Sequence, residues 1–275
     1  MPTLIIHTPT LNDAQHTLFQ SVGELKACNN HFRIECNHID NEKLFELRHE
    51  SELDLNLLPD GFDGKDVKLL ISDMDSTLIA IECIDEIADY MNIKPQVSEI
   101  TEAAMRGELD FEGSLTKRVG LLKGLNTSTL QQVYDERLQL NPGANTLIDS
   151  LKAKSIKFAL VSGGFTFFTD RLKDKLGLDF TRANVLSETD GKLNGSVDGA
   201  IIGAQAKADF LHELCQKLNI QPHQVIAAGD GANDLLMMKE AGLSVAYHAK
   251  PAVQSQASTA LNHRGLDAIL DFLAE

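Results

Sequence analysis

Short apolar runs that end in a polar residue are the feature that most constrains the fold of this 275-residue chain. They occupy 68–73, 158–162 and 225–230 and end at Asp73, Ser162 and Asp230, and a further apolar run lies at 243–247. Short runs of this kind are typical of strands that are buried on both faces of a parallel sheet. They predict a sheet with polar side chains along its carboxyl edge.

Helical spacing predominates between these predicted strands. The predicted helices lie at 145–153, 167–175, 207–218 and 234–241. Strands that alternate with helices predict an α/β fold with a Rossmann-like, mainly parallel sheet. Because ligands of such sheets bind beyond the carboxyl ends of the strands, we expect Asp73, Ser162 and Asp230 to share one site.

Two segments depart from this alternation. Residues 83–140 contain no strand-like run, and their helical spacing predicts a helical cap insertion above the carboxyl ends. Residues 1–66 are predicted to form a small N-terminal α+β unit without recognisable chemistry. Its strands are expected at 4–7 and 32–36 and its helix at 13–26. The α/β core then comprises 67–82 and 141–275, within which 190–195 predicts a hairpin turn.

The charge balance limits the partners. The chain carries 40 acidic and 25 basic residues, a formal net charge of −15. A chain this acidic repels polyanions, which argues against nucleic acid as the main partner. A small anionic substrate would need specific cations in its pocket. The sequence does not determine the oligomeric state, and a homodimer stays among the options.

The sequence indicates a cytoplasmic protein without a membrane partner. The first residues lack a basic segment followed by a long apolar one, so no signal peptide is expected. No run approaches the ~20 apolar residues of a membrane span. The four cysteines form no C-x-x-C pair and are expected to be reduced thiols.

The first candidate motif is Asp-Met-Asp-Ser-Thr-Leu, from Asp73 to Leu78. An aspartate at a strand end, with Asp75 two positions on, offers a nucleophile and a proton donor on one turn. A helix after this turn would present its amino terminus to an anion. The alternative is a turn with paired acids in which Ser76 caps a helix.

The second and third candidates suit a phosphate group. Ser162, Gly163 and Gly164 follow a predicted strand and offer a hydroxyl and two unshielded backbone N–H groups. Ser-Gly-Gly is also common in plain turns. Lys207 opens a predicted helix and could supply a fixed positive charge. The alternative is a lysine exposed to solvent, as most lysines are.

The fourth motif is Gly-Asp-Gly-Ala-Asn-Asp, from Gly229 to Asp234. Two more carboxylates at a strand end indicate a site for a hard cation with oxygen ligands. The glycines permit a tight turn and close approach to the ion.

These four motifs, in this order and setting, resemble the haloacid dehalogenase superfamily from residue 67 to the end. The resemblance implies that Asp73 forms an aspartyl-phosphate and that Asp75 is the acid and base. It implies Mg²⁺ held by Asp73, Asp230 and the backbone carbonyl of Asp75. The phosphoryl oxygens would meet a set of polar groups, namely Ser162, Gly163, Gly164, Lys207 and Asn233. Asp234 would orient either Lys207 or a metal-bound water.

Within the insertion the chain resembles the phosphoserine phosphatases. The resemblance rests on Glu82, on 104–111 and on 114–119. It implies that Glu82 meets the substrate ammonium and Arg118 the carboxylate, while Met105 and Phe111 shield the site. A guanidinium can bind a carboxylate through two hydrogen bonds. The alternative is a salt bridge between Glu82 and Arg118 on a helical lid.

The implied activity is hydrolysis of O-phosphoserine, the last step of serine biosynthesis. Three alternatives stay open. One is a phosphatase or phosphotransferase acting on another small phosphorylated metabolite. Another is a transport ATPase, which would need membrane spans. The last is a non-catalytic serine sensor, which the presence of Asp73, Asp75, Lys207 and Asp230 disfavours.

Overall fold

The first unit along the chain is a small antiparallel sheet covered by two helices. The structure, a computed structural model, describes residues 2–36, 38–105 and 108–273, except for the side chain of Met105. The strands of this unit are β1 (Thr3–Ile6), β2 (Leu25–Ala27), β3 (Phe32–Glu35) and β4 (Leu55–Leu57), and its helices are α1 (Asp13–Gln20) and α2 (Asn41–Ser51). The strand order β2-β3-β1-β4, with antiparallel neighbours, is that of a ferredoxin-like sheet.

One predicted boundary in this unit is wrong. The helix expected over 13–26 ends at Gln20, and 25–27 forms the edge strand β2 instead. Gly23 accounts for the change, because a Cβ built there would lie 2.6 Å from Ile34 Cγ2. The chain can therefore approach β3 closely at this glycine, and sheet pairing outweighs the helical spacing.

The insertion is helical, as predicted. It follows strand β5 (Leu69–Ser72). Its helices are α3 (Cys83–Tyr90), α4 (Lys94–Met105), α5 (Phe111–Gly120) and α6 (Thr127–Glu136). Apolar residues of α3, α5 and α6 pack into the main core, among them Ile87, Leu115 and Leu130. The cap therefore shares a core with the α/β domain and covers its carboxyl edge.

The α/β core matches the predicted pattern, with boundaries shifted by a few residues. Its further helices are α7 (Ala144–Ala153), α8 (Thr166–Leu176), α9 (Ala204–Leu218), α10 (Leu235–Glu240) and α11 (Pro251–Gln254). Its further strands are β6 (Lys157–Phe165), β7 (Phe180–Thr189), β8 (Lys192–Asp198), β9 (Val225–Gly229), β10 (Leu243–Tyr247) and β11 (Thr259–Leu261). Lys207 is the fourth residue of α9 and does not open it.

The large sheet has the order β11-β10-β9-β5-β6-β7-β8. All neighbours pair in parallel except β7 and β8, which form the predicted hairpin. Asp190 and Gly191 turn it with φ of 51° and 72°, as a two-residue hairpin turn requires. Because β5 lies between β9 and β6, Asp73 emerges between Asp230 and Ser162.

The N-terminal unit docks against the free edge of the large sheet. Asn56 donates to Ala260 O and accepts from Ala260 N, both at 2.9 Å, so its amide pairs with edge strand β11. The buried Asp54 carboxylate accepts backbone N–H groups from residues 262–264 at 2.8–2.9 Å. His7 Nδ1 lies 2.8 Å from Asp271 Oδ2. These buried polar contacts fix the unit on the core.

Within the described ranges, no helix combines the length and apolar character needed to cross a membrane.

Candidate active site

A cavity of about 130 Å³ lies at the carboxyl edge of the large sheet, beneath the cap. Residues from three of the four predicted motifs and from the cap line it: Asp73, Asp75, Glu82, Ile84, Phe111, Leu115, Arg118, Gly163, Gly164, Phe165, Asp230 and Asn233. The structure therefore brings together side chains that are up to 160 positions apart in the sequence (Asp73 to Asn233).

The loop after β5 aims two carboxylates at this cavity. Asp73 Oδ1 accepts the Met74 N–H at 2.7 Å. Asp75 Oδ1 accepts the N–H of Cys83, the first residue of α3, at 2.9 Å, and its Oδ2 accepts the Ser162 hydroxyl at 3.3 Å. Ser76 has a φ of 55°, a left-handed conformation that sharpens the turn between the two acids and the cap. Ser76 is therefore not the helix cap of the alternative interpretation.

Lys207 lies fully buried between two carboxylates. Its Nζ is 2.9 Å from Asp73 Oδ1 and 2.7 Å from Asp234 Oδ1. Burial alone would lower the pKa of Lys207, but the charges of Asp234 and Asp73 outweigh it and raise that pKa. The ammonium is therefore a fixed positive charge beside Asp73 and not an exposed lysine.

Both carboxylate oxygens of Asp234 have partners, one in Lys207 and the other in its own turn. Its Oδ1 faces Lys207, and its Oδ2 accepts the Gly231 N–H at 3.0 Å. A Cβ at Gly229 would lie 2.5 Å from Asp234 Cγ, so only glycine allows this approach. Of the two roles expected for Asp234, the geometry supports the orientation of Lys207.

Carboxylates also gather as candidate metal ligands. Oxygens of Asp73, Asp230 and Asp234 lie within 4.8 Å of one another. The Thr77 hydroxyl donates to Asp230 Oδ1 at 2.9 Å and so orients that side chain. Since both Asp234 oxygens have partners, Asp73 and Asp230 are the better direct ligands. An all-oxygen donor set with excess negative charge fits a hard divalent cation.

The electrostatics of the cluster favour such a cation. Burial raises the pKa of Asp73 well above its ordinary value, and the neighbouring Asp234 charge adds to this. Burial, again with Asp234, raises the pKa of Asp230 to about 6. Burial also raises the pKa of Asp75. These carboxylates repel one another, and a bound cation would relieve the repulsion.

Ser162 lies within β6 and not at its end as predicted, but Ser162–Gly164 leaves the pairing with β7, and this segment, the Ser162 loop, forms one wall of the cavity. The Gly164 N–H donates to Ser162 Oγ at 2.8 Å. A Cβ at Gly163 would lie 2.8 Å from Phe111 Cζ, so the cap phenylalanine sits directly on this glycine. A Cβ at Gly164 would likewise lie 2.7 Å from the Asp75 carboxylate. The two glycines thus leave room for the cap on one and for Asp75 on the other.

The cap contributes one cationic and one acidic side chain. Arg118 Nε is buried without a hydrogen-bond partner, and burial lowers the pKa of this guanidinium. Glu82 Oε1 accepts the Ser76 hydroxyl at 2.7 Å. Burial and the Asp75 charge raise the pKa of Glu82 to about 8. No ion pair joins Glu82 to Arg118, both of which the structure describes, so the salt-bridge alternative is wrong. The Met105 side chain lies outside what the structure describes.

The sequence interpretation missed two residues that shape the nucleophile loop. Thr77 orients Asp230 as described above. Asn141 Nδ2 donates to Thr77 O at 2.8 Å and to Ile79 O at 3.2 Å. These bonds fix the backbone of the segment that leads from the nucleophile loop into the cap. Asn141 lies in Asn-Pro-Gly at the end of the insertion, the one sequence signal that marks it.

The motifs and their geometry define an aspartate-based hydrolase with a helical cap. The model of the haloacid dehalogenase-like hydrolase family matches residues 67–242, and the chain belongs to this family. Among its relatives is a phosphoserine phosphatase of Polaromonas sp., 56% identical over 213 residues, which are 76% of this chain and 90% of that protein.

Two solved structures extend the similarity to the N-terminal unit. A haloacid dehalogenase family hydrolase from Salmonella enterica serovar Typhi is 32% identical, with a TM-score of 0.91, over 100% of this chain and 99% of that one. An unliganded probable phosphoserine phosphatase from Vibrio cholerae is 39% identical, with a TM-score of 0.86, over 99% of this chain and 86% of that one.

Proposed function

We propose that this protein is a Mg²⁺-dependent phosphatase that hydrolyses O-phosphoserine to serine and phosphate in the cytoplasm. The observation that carries the proposal is the buried, unpartnered Arg118 Nε in the cavity that Asp73 also lines, with Lys207 directly beside Asp73. Phosphoserine offers a carboxylate for Arg118, an ammonium for Glu82 and a phosphate for the Asp73 side of the cavity. The names of the relatives support the same substrate.

The reaction follows from the two aspartates of the nucleophile loop. An Asp73 oxygen attacks phosphorus, the bond from phosphorus to the serine oxygen breaks, and Asp75 gives that oxygen its proton. Water then attacks the aspartyl-phosphate and gives its proton to Asp75. The bond from phosphorus to Asp73 breaks and phosphate leaves. The raised pKa of Asp75 suits a group that alternates between acid and base.

The surrounding residues stabilise the phosphoryl charge. Lys207 supplies a positive charge 2.9 Å from Asp73 Oδ1. The Ser162 hydroxyl, the Gly163 and Gly164 N–H groups and Asn233 are proposed to meet the phosphoryl oxygens. Mg²⁺, held by Asp73, Asp230 and the Asp75 backbone carbonyl, would add charge neutralisation when bound.

The cap residues are proposed to select the substrate. The Arg118 guanidinium would grip the carboxylate, with Phe111 closing the site above Gly163. Glu82 would ionise on meeting the substrate ammonium, because an adjacent positive charge lowers the pKa of a carboxyl. Met105 is proposed to complete the apolar cover. The cavity is thereby matched to a small zwitterion that carries a phosphate.

The proposal is tested by phosphate release from a panel of phosphoesters, with Mg²⁺ present and after its removal by a chelator. We expect phosphoserine to be the preferred substrate, turnover to require the metal, and Asp73→Asn to be folded but inactive. An added acceptor alcohol should leave the yield of free phosphate unchanged, whereas a phosphotransferase would form a new ester. Equal rates on all esters would contradict the assignment of the substrate.

A further inference from the structure

The side chain of Asn184 joins two backbone segments that border the cavity. Asn184 lies in β7 and is buried, with 2% of its surface exposed. Its Nδ2 donates to Gly163 O and its Oδ1 accepts from Ile202 N, each at 2.8 Å. The nitrogen and the oxygen of one buried side-chain amide thus each bond the backbone of a different segment.

The first of these contacts replaces a missing sheet hydrogen bond. Strands β6 and β7 pair at Val161 with Arg182 and again at Phe165 with Asn184, so β6 advances by four residues while β7 advances by two. The extra residues of β6 bulge toward the cavity and leave the ladder. The Asn184 amide supplies the partner that the Gly163 carbonyl would otherwise lack.

Anchoring this carbonyl also orients an N–H group of the cavity wall. Gly163 O and Gly164 N belong to one trans peptide unit and point in opposite directions. With Gly163 O held by Asn184, the Gly164 N–H points to Ser162 Oγ, 2.8 Å away. Asn184 therefore determines how the Ser162 loop presents its donors.

The second contact fixes the start of the helix that carries Lys207. Ile202 directly precedes Gly203, the residue at the amino-terminal cap of α9, and Lys207 N donates to Gly203 O at 3.1 Å. A Cβ at Gly203 would lie 3.3 Å from Phe111 Cδ1. Since Phe111 also rests on Gly163, the two segments joined by Asn184 flank the cap phenylalanine.

We propose that Asn184 is a positioning residue that sets the spacing between the Ser162–Gly164 loop and the Lys207 helix. The proposal rests on the proposed function in that both segments are taken to hold the phosphoryl group. Asn184 touches neither substrate nor metal in this account. It acts by keeping the donors of the loop and the ammonium of Lys207 in register with one another.

The test compares Asn184→Ala, which removes both contacts, with Asn184→Asp, which keeps the acceptor for Ile202 N but loses the donor to Gly163 O. Asn194→Asp, at an exposed asparagine of β8, is the matched control. Measured are kcat and KM for phosphoserine and for p-nitrophenyl phosphate, and inhibition by inorganic phosphate. We expect both Asn184 variants to lose about 10- to 100-fold in kcat/KM on both substrates alike. Phosphate inhibition should weaken in parallel, and Asn194→Asp should match the wild type.

Wild-type kinetics and phosphate inhibition in folded Asn184→Ala would overturn the proposal, as would a loss confined to phosphoserine. If the wild type shows no preference for phosphoserine, the proposed function fails, while the ester and phosphate measurements still decide the role of Asn184. Should Asn184→Ala not fold, the kinetics of Asn184→Asp and the amide hydrogen exchange of the wild type decide the role of Asn184. Slow exchange at Ile202 N–H supports the bridge, and fast exchange contradicts it.

Discussion

The ammonium of Lys207 lies 2.7 Å from the Asp234 carboxylate, and both side chains are fully buried. The other Asp234 oxygen accepts the Gly231 N–H, so this aspartate has no free oxygen to offer. Lys207 is thereby held against Asp73 in one orientation before any substrate arrives. We therefore propose that Asp234 holds the lysine and that Asp230 binds the metal.

This assignment predicts different defects for two substitutions. Asp234→Asn should lower kcat by about 10- to 100-fold, because Lys207 loses the charge that holds it. Its Mg²⁺ dissociation constant, measured by calorimetry without substrate, should rise much less than that of Asp230→Asn. A larger loss of Mg²⁺ affinity in Asp234→Asn than in Asp230→Asn would make Asp234 a metal ligand and contradict the assignment.

Asp230→Asn should also stabilise the metal-free protein. Burial and Asp234 raise the pKa of Asp230 from 3.8 to about 6, so its ionised form disfavours folding. The cost of ionising Asp230 in the folded state grows as pH rises from about 4 to 6 and stays constant at higher pH. Above pH 6, Asp230→Asn should therefore raise the free energy of unfolding by up to about 3 kcal/mol. Chemical denaturation at pH 8 and pH 4.5 measures this gain. An equal gain at both pH values, or a loss at pH 8, would refute it.

Mg²⁺ provides the companion measurement. The wild type should gain stability on addition of Mg²⁺, because the ion binds only the folded cluster. Asp230→Asn should gain far less, because one ligand is gone. The same Mg²⁺-dependent shift in melting temperature in both proteins would place the ion elsewhere.

The docking of the N-terminal unit should weaken in mild acid. His7 is fully buried, and burial lowers its pKa below 6.5, an effect only partly opposed by the contact with Asp271. Below pH 6.5 the imidazole of His7 therefore binds a proton more readily in the unfolded chain than in the folded chain. The free energy of unfolding should fall by about 1 kcal/mol per pH unit below pH 6.

A matched pair of histidine variants isolates this effect. His7→Gln should flatten the pH dependence of unfolding between pH 5 and 7, at the cost of a lower stability at pH 7. His16→Gln, at an exposed position of α1, should keep the slope of the wild type. If His7→Gln retains the wild-type slope, the acid sensitivity comes from other groups.

The sequence predicted those parts of the site that local pattern encodes. The polar residues Asp73, Ser162 and Asp230 were visible because buried parallel strands leave a short apolar signature, although β6 continues past Ser162 to Phe165. Asn141 and Asn184 escaped prediction because each bonds backbone carbonyls more than 20 positions away, and no periodicity records such a contact. Strand β2 was missed for a related reason, since sheet pairing overrode helical spacing at residues 25–27.

The central claim, that the cap reads a phosphorylated amino acid, is tested most directly by Arg118→Ala. The substrate carboxylate would then lie unpaired in a closed site, at a cost of about 2–5 kcal/mol in kcat/KM for phosphoserine. Part of this loss should appear in kcat, because binding energy far from phosphorus aligns the phosphoryl group. Lys117→Ala, at an exposed cation on the same helix, should behave as wild type.

The decisive measurement is the ratio of kcat/KM for phosphoserine to that for p-nitrophenyl phosphate, in the wild type and in Arg118→Ala. The ester lacks both amino-acid charges, and Asp73, Asp75 and Lys207 are untouched by the substitution. The account predicts that the ratio collapses because only phosphoserine hydrolysis suffers. An equal loss on both substrates would show that Arg118 serves the phosphate or the fold of the cap, and it would contradict the proposed recognition of phosphoserine.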